Sequence, residues 1–271
     1  MGTFPDALIT KWELVDCANF AIALARASGW MLQVDWLTDN PKKANGEPRP
    51  ENEMTRLRVY VEDDQGTIYD ARGIKSIREF NDSTIKRLVN SRKNPSLRNL
   101  GVTTRAYDEF GLRDVLPVDF VNDEGINDAS DAIKANTAFL GNIKERPSPA
   151  YPAYLAHRFS DGNCAIFAQA LSEATGKTAV GLRIKEYLYD WGTSDRDIGD
   201  YFHSVVLNED GTAEDAWGNQ SLEVIAKRFG VRAWIIDEDY QDVVIENFKR
   251  NSPERFVKRL AEARDLIFEY R

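Results

Sequence analysis

The sequence predicts an α+β protein made of two copies of one unit, each a cysteine-bearing helix followed by antiparallel strands. Three observations carry that expectation. Cys17-Ala-Asn-Phe-Ala-Ile-Ala-Leu-Ala-Arg-Ala-Ser-Gly29 aligns without gaps to Cys164-Ala-Ile-Phe-Ala-Gln-Ala-Leu-Ser-Glu-Ala-Thr-Gly176. Gln65-Gly-Thr-Ile-Tyr-Asp-Ala-Arg-Gly73 matches Asp210-Gly-Thr-Ala-Glu-Asp-Ala-Trp-Gly218 at nearly the same distance from the cysteine. In both copies a helix-like segment precedes apolar runs broken by turn residues, the order of a helix laid on an antiparallel sheet. The only two cysteines of the 271-residue chain therefore hold equivalent positions.

In the first copy, residues 12 to about 29 read as a helix, with Asp16 as a candidate N-cap, an apolar stripe through Phe20 and Leu24, and Gly29 as its stop. Residues 30–37 read as a strand and residues 39–54 as a polar loop. Leu57-Arg-Val-Tyr-Val-Glu62 and Thr67-Ile-Tyr-Asp70 flank a turn and predict a hairpin. Residues 74–99 read as helical or mixed. Residues 121–152, rich in Asn, Asp and Ala and closing on Pro147-Ser-Pro-Ala-Tyr-Pro152, suit a connector containing a short helix. The second copy repeats the order: a helix over 164–175, a strand near 179–184, a polar loop, and a hairpin over 202–217. A strand at 233–236 and a helix opening at Ser252-Pro253 complete it. The expected division is 1–115, a connector over 116–152, and 153–271.

Composition narrows the function. With 42% hydrophobic and 29% charged residues the chain is of globular type, and no apolar run approaches the roughly 20 residues of a membrane helix. A net charge of −9 opposes binding to a nucleic-acid backbone, and the clusters Lys86-Arg87 and Arg92-Lys93 read as a solvated helix face. Neither cysteine belongs to a metal-binding spacing, and with His157 and His203 the only histidines, no metal or cofactor site is expected. The start, Met-Gly-Thr-Phe-Pro-Asp, lacks a basic region followed by an apolar stretch. The expected location is the cytoplasm, or outside the cell by export without a cleaved signal.

The chemistry concentrates in the second copy. Cys164 follows Ser160-Asp-Gly-Asn163, so Asn163 or Asp161 is a candidate cap and the cysteine lies in the first helical turn, where the dipole favours a thiolate. The plain alternative is a small buried residue that happens to be cysteine. His203 and Asp215 bear on that choice. The turn Asn208-Glu-Asp-Gly-Thr212 suits a three-residue hairpin loop with a left-handed Gly. If Asn208 pairs with Thr212, position 205 faces 215 and 203 faces 217, and all four lie on one face of the sheet. His203 and Asp215 are then diagonal neighbours within side-chain reach. A carboxylate on one imidazole nitrogen leaves the other free to take a thiol proton.

The run Asp161-Gly-Asn-Cys-Ala-Ile-Phe-Ala-Gln-Ala-Leu171, with Phe202-His-Ser-Val-Val-Leu207 and Asp210-Gly-Thr-Ala-Glu-Asp-Ala-Trp217, resembles the core of the transglutaminase-like branch of papain-like cysteine enzymes. Arylamine acetyltransferases and several bacterial effector toxins share that layout. The resemblance implies Cys164 as nucleophile, His203 as general base and acid, and Asp215 as the orienting acid. It implies two tandem papain-like or transglutaminase-like lobes, the second with the complete triad. No oxyanion side chain is evident upstream; His157, Arg158 and Tyr154 are candidates, and the Cys164 amide is the safer donor.

In the first copy Arg58 falls where His203 stands and Asp70 where Asp215 stands. Arginine stays protonated and cannot serve as a base, so an ion pair is expected in a degenerate lobe. The expected function is a cysteine hydrolase or acyltransferase acting on a protein or peptide substrate through a Cys164 thioester: peptidase, deamidase or transglutaminase, in the setting of a bacterial effector or toxin. The alternative is an inactive two-lobed binding or immunity-type protein. Acetyl transfer from coenzyme A would need a basic pocket that the sequence does not display.

Overall fold

The structure, a computed structural model, describes residues 4–39, 42, 43, 45–91, 101–160, 162–188 and 197–271. The expected features at Asp161 and Arg92-Lys93 lie outside the described residues. The chain divides into two units, Met1–Glu145 and Arg146–Arg271. Residues 116–145, read in the sequence as most of a connector, belong to the first unit. Their helix Asp123–Ala135 buries Ile126, Ala129 and Ile133 and packs on the helix Cys17–Ser28.

The fold is α+β. The first unit holds strands β1 (Met31–Thr38), β2 (Thr55–Glu62), β3 (Thr67–Asp70), β4 (Gly73–Ser76) and β5 (Gly101–Tyr107) in one sheet ordered β4-β3-β2-β1-β5. The second holds β6 (Ala179–Tyr187), β7 (Tyr201–Leu207), β8 (Thr212–Asp215), β9 (Gly218–Ser221) and β10 (Val231–Asp237) in the order β9-β8-β7-β6-β10. The two orders are the same, and every neighbouring pair is antiparallel. Among the described residues no helix is long and apolar enough to cross a membrane.

Each sheet is preceded by its cysteine helix. Cys17–Ser28 and Cys164–Thr175 are both 12 residues long and end on left-handed glycines, Gly29 at φ 71° and Gly176 at φ 70°. Only glycine adopts that conformation at no steric cost, so the two closing glycines of the repeat are stop signals. The first helix begins at Cys17 rather than near residue 12, because a separate helix, Asp6–Leu14, ends before it. Neither Asp16 nor Asn163 caps its helix through the side chain. The Asn163 amide turns away instead: Nδ2 donates to the Arg158 carbonyl (2.7 Å) and Oδ1 accepts from Arg255 (2.9 Å).

The core of the second unit has two sides. Val180, Leu182, Phe202, Val205, Ala213, Ile225 and Val231 form one buried cluster, closed by Phe229. Ala165 and Ile166 of the cysteine helix pack with Ile245 and Phe256 from the helices Glu238–Asn251 and Pro253–Tyr270. Phe167 is buried against Tyr151 and Phe159, with ring centroids 5.5 and 5.3 Å away. These contacts fix the helix that carries Cys164. Truncating Phe167→Ala removes a fully buried ring and is expected to destabilise the unit by about 3–5 kcal/mol, read as a lowered denaturation midpoint in urea.

Candidate active site

The hairpin β7–β8 has the register the turn sequence implies. Asn208 N–H donates to the Thr212 carbonyl (2.9 Å), and Val206 pairs with Glu214 and Leu207 with Ala213. Gly211 carries φ 82° in the loop. The diagonal contact then closes: His203 Nε2 lies 2.9 Å from Asp215 Oδ2. Both residues are buried, His203 with no exposed surface and Asp215 at 3%.

A β-bulge sets the other half of the site. Leu182 pairs with His203 and Arg183 with Tyr201, so Phe202 is an extra residue on β7. Two successive side chains then point the same way. Phe202 and His203 both pack on Phe229, at ring-centroid distances of 5.4 and 4.7 Å. The flanking Tyr201 and Ser204 share the opposite side, their hydroxyl oxygens 2.7 Å apart. Tyr201 Oη also reaches Cys164 Sγ at 3.2 Å.

Asp215 is the anion of the site. Its Oδ2 accepts from Arg228 Nη1 (2.5 Å) as well as facing His203, and its Oδ1 accepts the Trp217 backbone N–H (2.8 Å). Burial pushes its carboxyl up, but the charge of Arg228 and the hydrogen bond to His203 outweigh that and hold it well below the usual carboxylate range. With Nε2 committed to Asp215, the neutral imidazole carries its lone pair on Nδ1, which makes no protein hydrogen bond of good geometry.

The thiol and the imidazole are electrostatic partners. Burial pushes the Cys164 thiol up, yet the charge of His203, with hydrogen bonds from His203, Tyr201 and the Ser204 backbone, brings it below its ordinary value. Burial disfavours the His203 cation, while the Cys164 charge and the Asp215 bond raise its pKa to about 9. Each shift favours a thiolate beside an imidazolium.

Cys164, His203 and Asp215 are therefore brought together. Of the upstream oxyanion candidates, Arg158 and Tyr154 contact each other, the Arg158 guanidinium lying 4.4 Å over the Tyr154 ring. Sequence reasoning missed Arg228, Tyr201, Ser204 and Gln241, which come from a later helix, a bulged strand start and a helix not foreseen. Their residue types carried no pattern of their own.

The first unit keeps the geometry with other side chains. Asp35 pairs with Arg58 and Trp36 with Arg56, the same bulge at the same place. Arg58 Nη2 lies 3.4 Å from Asp70 Oδ2, and Lys75 Nζ donates to the same carboxylate at 3.0 Å. Asp70 Oδ1 accepts the Arg72 N–H at 2.8 Å, as Asp215 accepts that of Trp217. Arg58 is 2% exposed and also donates to the Glu13 carbonyl. The expected ion pair is present.

Comparison with known proteins gave no match: no family model, no curated protein and no solved structure resembles the chain significantly.

Replacing Asp215 by Ala removes the buried carboxylate that Arg228 and His203 both face, and a loss of about 3–5 kcal/mol is expected in urea denaturation. Because the folded carboxyl titrates below its unfolded value, the stabilisation is present above about pH 4 and fades as pH falls further. In the wild type stability should decline with acid over that range, and in Asp215→Ala the decline should be shallower.

Proposed function

We propose that the second unit is a cysteine hydrolase or acyltransferase that works through a thioester at Cys164, with a protein or peptide carbonyl or a glutamine side-chain amide as substrate. The observation that carries this reading is the buried Asp215–His203 contact of 2.9 Å, which leaves Nδ1 as the free base of an imidazole whose charge is coupled to the Cys164 thiol. The likeness of the motifs to transglutaminase-like enzymes agrees with it.

In this reading His203 Nδ1 takes the Sγ proton and Asp215 stabilises the imidazolium formed. The thiolate attacks the carbonyl carbon, and the developing oxyanion is met by the Cys164 backbone N–H at the helix start. The imidazolium returns its proton to the leaving amine, giving a thioester. Water then yields hydrolysis or deamidation, and an amine yields a cross-link, with His203 again as base. The protein acts in the cytoplasm or as an exported effector.

A second reading rests on the first unit. There the equivalent of His203 is Arg58, locked between Asp70 and Glu13, and a lobe so altered contributes shape or binding rather than chemistry. The corresponding hypothesis for the whole chain is an inactive two-lobed binding protein.

Iodoacetamide labelling separates the two. The enzyme reading expects Cys164 to alkylate near neutral pH at least about tenfold faster than Cys17, because the neighbouring His203 charge holds its thiol below the ordinary value. His203→Ala should bring Cys164 down to the rate of Cys17. Equal rates in the wild type, unchanged by the substitution, would leave the binding reading. Turnover of a peptide substrate should rise with pH as the thiolate forms and fall again as His203 loses its proton near 9.

A further inference from the structure

The sulfur of Cys164 touches a second set of groups besides His203. Tyr201 Oη is 3.2 Å from Sγ and 2.7 Å from Ser204 Oγ. Ser204 Oγ donates to Gln241 Oε1 (2.5 Å), and Gln241 Nε2 donates to the Ala165 carbonyl (3.0 Å), the residue after the cysteine. Ser204 and Gln241 are 1% and 2% exposed, so their hydrogen bonds are made within the protein.

The direction of this chain follows from its far end. A backbone carbonyl only accepts, so Gln241 must present Nε2 to Ala165 and Oε1 to Ser204. Oε1 only accepts, so the single Ser204 proton goes to Gln241, and Ser204 Oγ can only accept from Tyr201. A phenol carries one proton. While that proton sits on Ser204, Tyr201 Oη can only accept from Cys164, which matches a neutral S–H. Once the sulfur is an anion the reverse bond is favoured, a charge-assisted donation from Oη–H to Sγ.

The first unit supplies an independent observation. The shared bulge equates Tyr201 with Arg56 and Ser204 with Val59, as it equates His203 with Arg58. The hydroxyl pair is absent from the unit whose base is lost.

Resting on the reading of Cys164 as a nucleophile, we propose that Tyr201 is a further catalytic residue whose hydroxyl proton swings from Ser204 Oγ to Cys164 Sγ as the thiol ionises, with Ser204 and Gln241 as its positioning residues. The proton balance is closed. The S–H proton moves to His203 Nδ1, Tyr201 keeps its own proton and changes its acceptor, and Ser204 continues to donate to Gln241. When the sulfur acylates and loses its charge, the Tyr201 proton returns to Ser204.

The test is the pH profile of iodoacetamide labelling at Cys164, followed by peptide mass spectrometry in wild type, Tyr201→Phe and Ser204→Ala, with thermal unfolding of each as a check on folding. Tyr201→Phe keeps the ring that stacks on Tyr240 at 5.8 Å and removes only the hydroxyl. Its apparent thiol pKa should rise by about one to two units, the effect of losing a charge-assisted hydrogen bond. Ser204→Ala removes the competing acceptor, so its profile should stay in place or move to lower pH. An unchanged profile in Tyr201→Phe overturns the proposal, as does an upward shift in both variants, which marks loosened packing. Should Tyr201→Phe fail to fold, Ser204→Ala decides alone, an upward shift overturning the proposal. A wild-type Cys164 no faster than Cys17 removes the nucleophile reading itself, an outcome distinct from either variant result.

Discussion

One buried anion organises the second unit. The Asp215 carboxylate is removed from water, and such a charge persists only where cations and N–H donors replace its hydration. Arg228 from the helix Leu222–Arg228, His203 from β7 and the Trp217 amide from the turn into β9 supply them. Three elements are tied to one side chain, and the imidazole tautomer follows. Because Nε2 is held by Asp215, Nδ1 is the nitrogen left for the Cys164 thiol.

The β-bulge is the second constraint, and the two units share it. In a regular strand Tyr201 and Ser204 would face opposite ways, since alternation has a period of two. The extra residue Phe202 resets the alternation, so the base and the hydroxyls divide between the two sides of one short stretch of strand. Its recurrence at Arg56 and Arg58 identifies it as part of the unit's architecture. What differs between the copies is the chemistry mounted on it.

That difference has a simple electrostatic form. Both units retain the carboxylate, the N–H that binds it and the left-handed glycine that follows, Gly73 at φ 114° and Gly218 at φ 101°. Both surround the carboxylate with two cations, Arg58 and Lys75 in one, His203 and Arg228 in the other. Histidine is the only one of these whose ordinary pKa lies near neutrality, so it alone is suited to exchange its proton. The substitution preserves the balance of a buried cluster while removing its capacity for proton transfer.

The sequence by itself determined the repeat, the cysteine helices with their glycine stops, and the hairpin register that sets His203 against Asp215. These rest on short-range rules: helix termination, strand alternation and the fixed geometry of a three-residue loop. It also placed Arg58 opposite Asp70. Local rules did not reveal that Asn163 would turn its amide away from the helix it precedes, because that choice depends on Arg255, 92 residues further on. Nor did they show that residues 116–145 belong to the first unit, since the helix Asp123–Ala135 is held by long-range packing on Cys17–Ser28. Arg228, Tyr201, Ser204 and Gln241 reached the site only through the tertiary structure. Polar residues of ordinary type acquire a role when burial denies them water and leaves one another as partners, a condition that sequence spacing does not encode.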